Sequence, residues 1–274
     1  MDAQAPSSRF PWAFLLWLFV LSVPFWWLGA IAGDRLQGKL PVDLPVSALM
    51  AVNPLLTALI LTYRESGASG VKRLLRRVTD YRRIERKRWY IPMFGLLPTI
   101  YVVAYALMRL SRAPLPADPQ VPLWLAPIFF ALFFVAAIGE EVGWQGYVIE
   151  RLPVRWSALG AAAFLGVVWA VWHIVPDLQA HRPWSWIAWQ RLYSVGLRIL
   201  IVWLFNNTGK SVFAVIVFHA LDGVSFSLFP NNGSHYEPFF ICFVTVFTVG
   251  VIVFLWGART LADYRFARPR ESAH

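Results

Sequence analysis

The stretch of sequence that decides the fold is PLWLAPIFFALFFVAAIGEEVGWQGYVIE, which runs from Pro122 to Glu150. It is apolar over most of its length and can cross roughly 30 Å of hydrocarbon as a helix that rises about 1.5 Å per residue. Two adjacent carboxylates, Glu140 and Glu141, lie inside it. Because an ionisable side chain inside a membrane span is costly, it marks a candidate functional site. The stretch therefore predicts a membrane-spanning helix that carries part of a site.

Seven more apolar stretches of comparable length flank this one, so the sequence predicts about eight transmembrane helices. The 274 residues are 58% hydrophobic and 15% charged, whereas soluble domains carry about 25% charged residues. This composition excludes an ordinary soluble enzyme and a disordered chain. The stretches lack the alternation of barrel strands, so the expected fold class is an all-α polytopic membrane helix bundle. The eight expected spans are Phe10–Ala32, Val42–Tyr63, Trp89–Leu110, Pro122–Glu150, Ala158–Val175, Trp186–Phe205, Val212–Phe229 and Pro238–Trp256.

The distribution of lysine and arginine predicts the orientation of these spans, because cytoplasmic loops are enriched in both residues. If the spans alternate, one set of loops and termini holds 18 basic residues, 10 of them between Arg64 and Arg88, and the other set holds four. We therefore expect a multi-pass protein of a prokaryotic plasma membrane with both termini in the cytoplasm. The first stretch ends in Ala30-Ile31-Ala32, which is similar to a signal cleavage site, but its length favours a retained span.

The main basic segment is VKRLLRRVTDYRRIERKR, Val71–Arg88. One interpretation is a charged loop that only sets the topology. The other is a short amphipathic helix that binds anionic lipid at the cytoplasmic surface. Nucleic acid is not an expected partner, because no nucleic-acid-binding motif accompanies the charge.

Ionisable residues in three spans could meet near the membrane midplane. The fourth span carries Glu140 and Glu141, the fifth carries His173 and the seventh carries His219. Counted from the cytoplasmic ends of the spans, Glu140 lies about 15 Å deep, His219 about 12 Å and His173 about 20 Å. These depths are compatible with one cluster that opens more easily to the cytoplasm. Two adjacent carboxylates in a low dielectric do not both ionise readily, which suits one of them to general-base catalysis.

Helical spacing also identifies neighbours of these residues. Glu141 and Gln145 are four residues apart and share a face, and Asp222 lies three residues after His219, where it could orient the imidazole. A single buried histidine or glutamate can be a helix-packing partner. Two glutamates and two histidines in three different spans are harder to explain by packing alone.

Two further arginines, Arg191 and Arg198, lie on one face of the sixth span. The sequence leaves three roles open, because their side chains could line an outer vestibule, pair with carboxylates or snorkel to the surface. Known hydrolase signatures are lacking: the sequence has no His-Glu-x-x-His zincin motif and no Walker glycine loop.

Three motifs resemble those of the CPBP family, which comprises type II CAAX prenyl endopeptidases and bacteriocin-processing or immunity proteins. They are Glu140-Glu141-x-x-Trp144-Gln145-Gly146-Tyr147, Trp169-x-x-x-His173 and Phe218-His219-Ala220. The family pattern is Glu-Glu-x-x-x-Arg, Phe-x-x-x-His and His-x-x-x-Asn. The resemblance implies an eight-helix bundle with a polar intramembrane cavity that opens to the cytoplasm. It divides the chain into three spans with a basic loop (1–119, loop 64–88), a catalytic core (120–230) and a last span with a basic tail (231–274).

The resemblance also implies roles for individual residues. Glu140 would activate water, His173 would hold that water or a metal ion, and His219 would stabilise the oxyanion. Glu141 is similar to the second glutamate of the family, which supports the first. Two possibilities stay open. One is a Zn2+ ion that is bound by Glu140, His173 and His219 and keeps an open position for water. The other is a reaction without a metal ion. The supporting residues are Gln145, Trp169 and Asp222.

Two positions depart from the family pattern. Gln145 stands where the family has arginine, so the charge expected to pair with Glu141 is absent from this position. Gly223 stands where the family has asparagine, which removes an oxyanion donor. The departures predict an altered or weakened activity.

The leading hypothesis is therefore an intramembrane endopeptidase that acts on a peptide or protein substrate at the membrane. One alternative is a catalytically inactive relative that confers immunity to a peptide toxin or binds a partner helix. Another is a small transporter that uses glutamate and histidine as a proton relay. The oligomeric state is left open.

Overall fold

The computed structural model describes residues 11–32, 45–152, 156–262 and 264–266, and within these ranges the regular structure is helical, with no strand. This confirms the predicted all-α polytopic bundle. Seven helical segments are long and apolar enough to cross a membrane, and the eighth expected crossing is a shorter apolar helix, α8. The expected starts of the first two spans, Phe10 and Val42, lie outside the described residues. The α-helices of the described ranges are α1 (Trp12–Ala32), α2 (Asn53–Leu75), α3 (Tyr90–Leu110), α4 (Ala126–Gly143), α5 (Ala158–Trp172), α6 (Ile174–Gln179), α7 (Trp184–Asn207), α8 (Val212–Leu228) and α9 (Pro238–Trp256).

Two hydrogen bonds between sequence-distant segments mark the two ends of the bundle. At one end, Arg77 donates from Nη1 to the backbone carbonyl of Gly146 at 2.9 Å. We call this the basic end, because it carries the arginine-rich residues 76–88. At the other end, which we call the distal end, Gln179 donates from Nε2 to the carbonyl of Trp26 at 2.7 Å. Six of the basic residues used to predict orientation lie outside the described ranges: Arg9, Arg35, Lys39, Arg155, Arg268 and Arg270.

The basic segment Val71–Arg88 is not one amphipathic helix. The end of α2 supplies its first residues, beyond a break in the helical dihedrals at Gly67, and short 3₁₀ turns form the rest. Some of its side chains point inward: Asp80 accepts the Phe213 N–H at 3.0 Å and so caps the start of α8. The segment therefore covers the basic end of the bundle and also gives that end its positive charge.

Two glycines bring α4 and the chain around the start of α2 into close contact. A Cβ atom on Gly139 would lie 2.6 Å from the carbonyl oxygen of Ala51, and one on Gly143 would lie 2.4 Å from that of Pro54. Small residues four positions apart allow such an approach between membrane helices. The glycines flank Glu140 and Glu141, so this packing fixes the part of α4 that carries both carboxylates.

Candidate functional site

Glu140 and Glu141 lie at the end of α4, directly before a change in helix type. The residues Trp144–Val148 form a buried π-helical turn, and such turns are frequent at functional sites. Both carboxylates are withdrawn from the surface, with 6% of Glu140 and 0% of Glu141 exposed. The site thus lies inside the bundle, as the sequence predicts for charged residues within a span.

Glu141 is the centre of a buried charge network that joins three helices. Arg198 of α7 donates from Nη1 to both of its oxygens, at 3.0 and 2.8 Å. His219 of α8 makes a bond of 2.8 Å from Nδ1 to Oε1. Because an ionised carboxylate only accepts, the proton of this bond lies on Nδ1. Of the three roles left open for Arg198, pairing with a carboxylate is the one that the structure shows.

Trp169 of α5 connects the other candidate residues. Its indole N–H donates to Glu140 Oε2 at 2.6 Å, and its backbone carbonyl accepts from His173 Nδ1 at 2.9 Å. Its ring lies edge-on to His173 and His219, with centroids 5.2 and 5.4 Å apart. The guanidinium of Arg198 lies 4.4 Å from the ring centroid. One side chain therefore positions the first glutamate and contacts both imidazoles.

The hydrogen bonds fix the tautomers of both histidines. A carbonyl oxygen can only accept, so His173 carries its proton on Nδ1, as His219 does beside Glu141. In each neutral ring the lone pair is then on Nε2. Both rings line the same cavity as Glu140, so Nε2 is the nitrogen that each ring has left for chemistry.

Asp222 does not orient His219, contrary to the prediction from their spacing. Its Oδ1 accepts from the hydroxyl of Tyr101 at 2.9 Å and also from the hydroxyl of Tyr193. Glu141 occupies Nδ1 of the imidazole instead. The reason is the direction of the side chains, since Asp222 lies on a different part of the α8 surface and faces α3 and α7.

A cavity of about 270 Å³ connects these groups, slightly below the range of about 300–1,000 Å³ for ligand pockets. Glu140, His173 and His219 line it together, so residues from three expected spans lie around one cavity. Its walls are largely apolar and include aromatic and aliphatic side chains beside a few convergent polar groups. The apolar wall residues include Met50, Phe133, Ala137, Leu197 and Phe226.

The cavity extends toward the distal end of the bundle, not toward the basic end. Its outer lining includes Pro45, Pro176, Asp177 and Arg182, which lie before α2 and around the short helix α6. The expectation of an opening at the end rich in basic residues is therefore wrong. The expectation rested on the depths of Glu140, His173 and His219 in the membrane. The rise of a helix gives the depth of a residue, but it does not show between which helix ends solvent enters.

The tentative zinc ligands do not form a metal site as placed. Among the residues that the structure describes, no three histidine, cysteine, aspartate or glutamate side chains converge closely enough to hold a metal ion. Trp169 occupies Glu140 Oε2, and Nδ1 of each imidazole is engaged elsewhere. The atoms left for a metal ion are Glu140 Oε1 and the Nε2 atoms of the two imidazoles, and zinc binding by these three residues stays a prediction.

Comparison with known proteins supports the resemblance noted in the sequence. A family model described as Type II CAAX prenyl endopeptidase Rce1-like matches residues 122–224, the segment that supplies Glu140, His173 and His219. A relative named CAAX prenyl protease 2, from Methanococcus maripaludis, is 24% identical over 227 residues, which cover 77% of this chain and 82% of the relative.

The segment 122–224 is thus similar to type II CAAX prenyl endopeptidases. The departures of this chain from the CPBP pattern have a structural explanation. Arg198 provides the positive charge beside Glu141 that arginine at position 145 would have provided. At Gly223, a Cβ atom would lie 2.4 Å from the ring of Phe133, so this packing leaves no room for the CPBP asparagine.

Sequence reasoning missed three polar residues in or beside the candidate site. Tyr101 and Tyr193 line the cavity and bond Asp222, but nothing in their local sequence distinguishes them from interfacial tyrosines. Arg77 donates to the π-helical turn through Gly146, whereas the sequence predicted for its segment only a role in topology or in binding anionic lipid. Pairing with a carboxylate was one of the roles that the sequence left open for Arg198, but the sequence did not identify Glu141 as its partner.

Proposed function

We propose that this protein is an intramembrane endopeptidase that hydrolyses a peptide bond with water activated by Glu140. The observation that carries the proposal is the convergence of Glu140, His173 and His219 on one largely apolar cavity. The match of this segment to a type II CAAX prenyl endopeptidase model supports proteolysis over the alternative of proton-coupled transport. A prenylated peptide is the substrate class that this match suggests.

In the proposed reaction Glu140 is the general base. Trp169 holds its Oε2, which leaves Oε1 to take a proton from a water molecule in the cavity. The hydroxide attacks the carbonyl carbon of the substrate, and the resulting oxyanion accepts a hydrogen bond from His219 when that imidazole is protonated. Glu140 then returns the proton to the leaving nitrogen as the C–N bond breaks.

The remaining groups hold this geometry. Glu141 fixes the orientation of His219, and Arg198 pairs with Glu141. His173, whose Nδ1 is tied to the Trp169 carbonyl, accepts from the nucleophilic water through Nε2. These are positioning interactions in a site shielded from bulk water, where hydrogen bonds to charged groups are strong.

A specific observation favours a second function. The ring of Phe133 occupies the space beside Gly223, where the family has a side-chain donor, and one fewer oxyanion donor lowers the rate. An inactive relative that binds a peptide without cleaving it would keep the cavity and the charge network. Its activity in cells would survive the loss of Glu140.

The test is cleavage of prenylated and unprenylated peptides by purified protein in lipid nanodiscs. We expect Glu140→Gln to abolish cleavage, whereas Glu85→Gln, a change at an exposed carboxylate, leaves the rate unchanged. Because the proposed reaction uses no metal ion, a metal chelator should leave the rate unchanged. Cleavage by Glu140→Gln at the wild-type rate would contradict the proposal, and peptide binding without cleavage by the wild type would favour the second function.

The basic segment Val71–Arg88 is proposed to bind anionic lipid through its outward-facing residues. Lys72 and Arg73 are exposed, and each basic residue near an anionic membrane surface contributes about 1 kcal/mol. Residues that bond inward, such as Arg77, are not part of this surface.

A further inference from the structure

Asp222 is a carboxylate of the cavity wall that the proposed hydrolysis does not use. Its Oδ1 accepts from the hydroxyls of both Tyr101 and Tyr193. Because both bonds end on the same oxygen, Oδ2 keeps its lone pairs for another donor. Within the part of the chain that the structure describes, the cations nearest to the cavity pair with other carboxylates, Arg191 with Asp177 and Arg198 with Glu141. Asp222 therefore lines the cavity without a cationic partner.

The charges of the cavity wall leave an excess of negative charge. The wall carries three carboxylates, those of Glu140, Asp177 and Asp222, and two guanidinium groups, those of Arg182 and Arg191. With both imidazoles neutral, three negative and two positive charges leave one negative charge. Much of the remaining wall is apolar, and a low dielectric strengthens the attraction between a carboxylate and a cation. The cavity therefore favours a ligand that brings one positive charge.

Aromatic rings lie beside Asp222 in this wall. Phe226 is four residues further along the same face of α8, and it lines the cavity together with Tyr101 and Tyr193. The ring of Phe226 packs against that of Tyr236, with centroids 4.8 Å apart, so its position is fixed by the bundle. The face of an aromatic ring attracts a cation. A carboxylate oxygen among such rings suits an ammonium group.

The geometry of Asp222 also distinguishes between kinds of cation. A guanidinium is a planar fork that is best matched by both oxygens of one carboxylate, whereas an ammonium is a compact charge that one oxygen can bind. Since the two tyrosine hydroxyls occupy Oδ1, Asp222 offers Oδ2 alone. It lies three residues after His219 on α8, about 4.5 Å further along the helix axis. The ammonium would therefore lie one helical turn from the proposed catalytic groups, on the distal side.

We propose that Asp222, with the rings of Tyr101, Tyr193 and Phe226, binds the ammonium group of a lysine side chain in the substrate. The alkyl stem of the lysine contacts the apolar wall, and the ammonium donates to Oδ2. The inference rests on the proposed function for the position of this lysine beside the scissile bond, but not for the binding of the ammonium. The ligand class is a peptide with an internal lysine.

The experiment measures binding rather than cleavage. The probes are N-acetyl-Leu-Lys-Leu amide and the same peptide with norleucine or arginine in place of lysine. They are titrated into full-length protein in lipid nanodiscs that carries Glu140→Gln, which removes the proposed base and a competing carboxylate. We expect the lysine peptide to bind about 10–100-fold more tightly than the norleucine peptide, because norleucine keeps the alkyl stem but lacks the charged donor. The arginine peptide should have an intermediate affinity.

Four further changes in this background separate recognition from folding. Asp222→Asn keeps an oxygen acceptor for the tyrosine hydroxyls, so it should abolish the preference for lysine and leave the affinity for the norleucine peptide unchanged. Asp222→Glu keeps the charge and should retain part of the preference. Phe226→Leu should lower the preference about 2–5-fold through the loss of a cation–π contact. Asp118→Asn, the same loss of charge at an exposed position near the distal end, should change neither affinity.

Equal binding of the lysine and norleucine peptides by the starting protein would overturn the proposal, as would a preference for lysine that survives Asp222→Asn. An Asp222→Asn variant that loses both peptides equally would also overturn it, because the carboxylate would then serve only the fold. If cleavage requires Glu140 but lysine is not preferred, only this inference fails. If lysine is preferred but nothing is cleaved, only the proposed hydrolysis fails.

Discussion

Arg198 and Glu141 form a fully buried ion pair in which one guanidinium nitrogen, Nη1, contacts both carboxylate oxygens, at 3.0 and 2.8 Å. The two residues are 57 positions apart, so their pairing joins α4 to α7 through the interior of the bundle. Glu141 in turn holds His219. The ion pair is therefore both a structural link and the support of a proposed catalytic imidazole.

Removing the arginine should destabilise the protein strongly. Arg198→Met would leave Glu141 buried without its main counter-charge, and breaking a buried pair in this way costs about 3–5 kcal/mol. Unfolding in detergent, followed by circular dichroism, measures the change in free energy. Arg64→Met, at an exposed position, should stay within about 0.5 kcal/mol of the wild type. Equal stability of the two variants would show that the pair does not form.

The indole N–H of Trp169 should matter for activity more than its ring does. Trp169→Phe keeps an aromatic ring but removes the donor to Glu140. The loss of a hydrogen bond to a charged group costs about 1.5–3 kcal/mol, so we expect kcat/KM to fall about 10–100-fold.

A matched control exists for this change. Trp172→Phe removes an equally buried indole donor, which bonds Ser22 Oγ at 2.7 Å, but that donor does not contact Glu140. We expect it to lower stability without a comparable loss of kcat/KM. The assigned role of Trp169 fails if both variants lose activity to the same extent.

The sequence predicted the bundle because span length and hydropathy are local properties of the chain. The same reasoning found Glu140, His173 and His219, since ionisable residues stand out within apolar spans. It did not predict that Arg198 would replace the charge missing at Gln145, because that pairing depends on how α4 and α7 pack. The direction of the cavity was missed for the same reason, as it depends on the arrangement around α6.

Restoring the family residue at position 223 should destabilise this protein. The Cβ atom of Gly223→Asn would lie 2.4 Å from ring atoms of Phe133, and overpacking of this kind costs about 1–3 kcal/mol. Adding Phe133→Ala should relieve the clash. A double-mutant cycle on unfolding free energies therefore should give a favourable coupling between the two changes. Strict additivity would mean that the ring moves aside freely.

Solvent and substrate should enter the cavity from the side of the membrane opposite the basic segment. Cytoplasmic loops are enriched in lysine and arginine, so the basic end is expected in the cytoplasm, whereas Pro176 and Arg182 place the cavity mouth at the distal end.

Cys242 is the sole cysteine of the chain, and its replacement by alanine gives a background for single-cysteine labelling. In intact cells a membrane-impermeant maleimide should label Ser185→Cys, near the mouth, and should label Lys72→Cys only after permeabilisation. Both positions are exposed, so a difference in labelling reports sidedness rather than burial. The reverse pattern would place the mouth in the cytoplasm and would show that the basic segment does not set the orientation of this bundle.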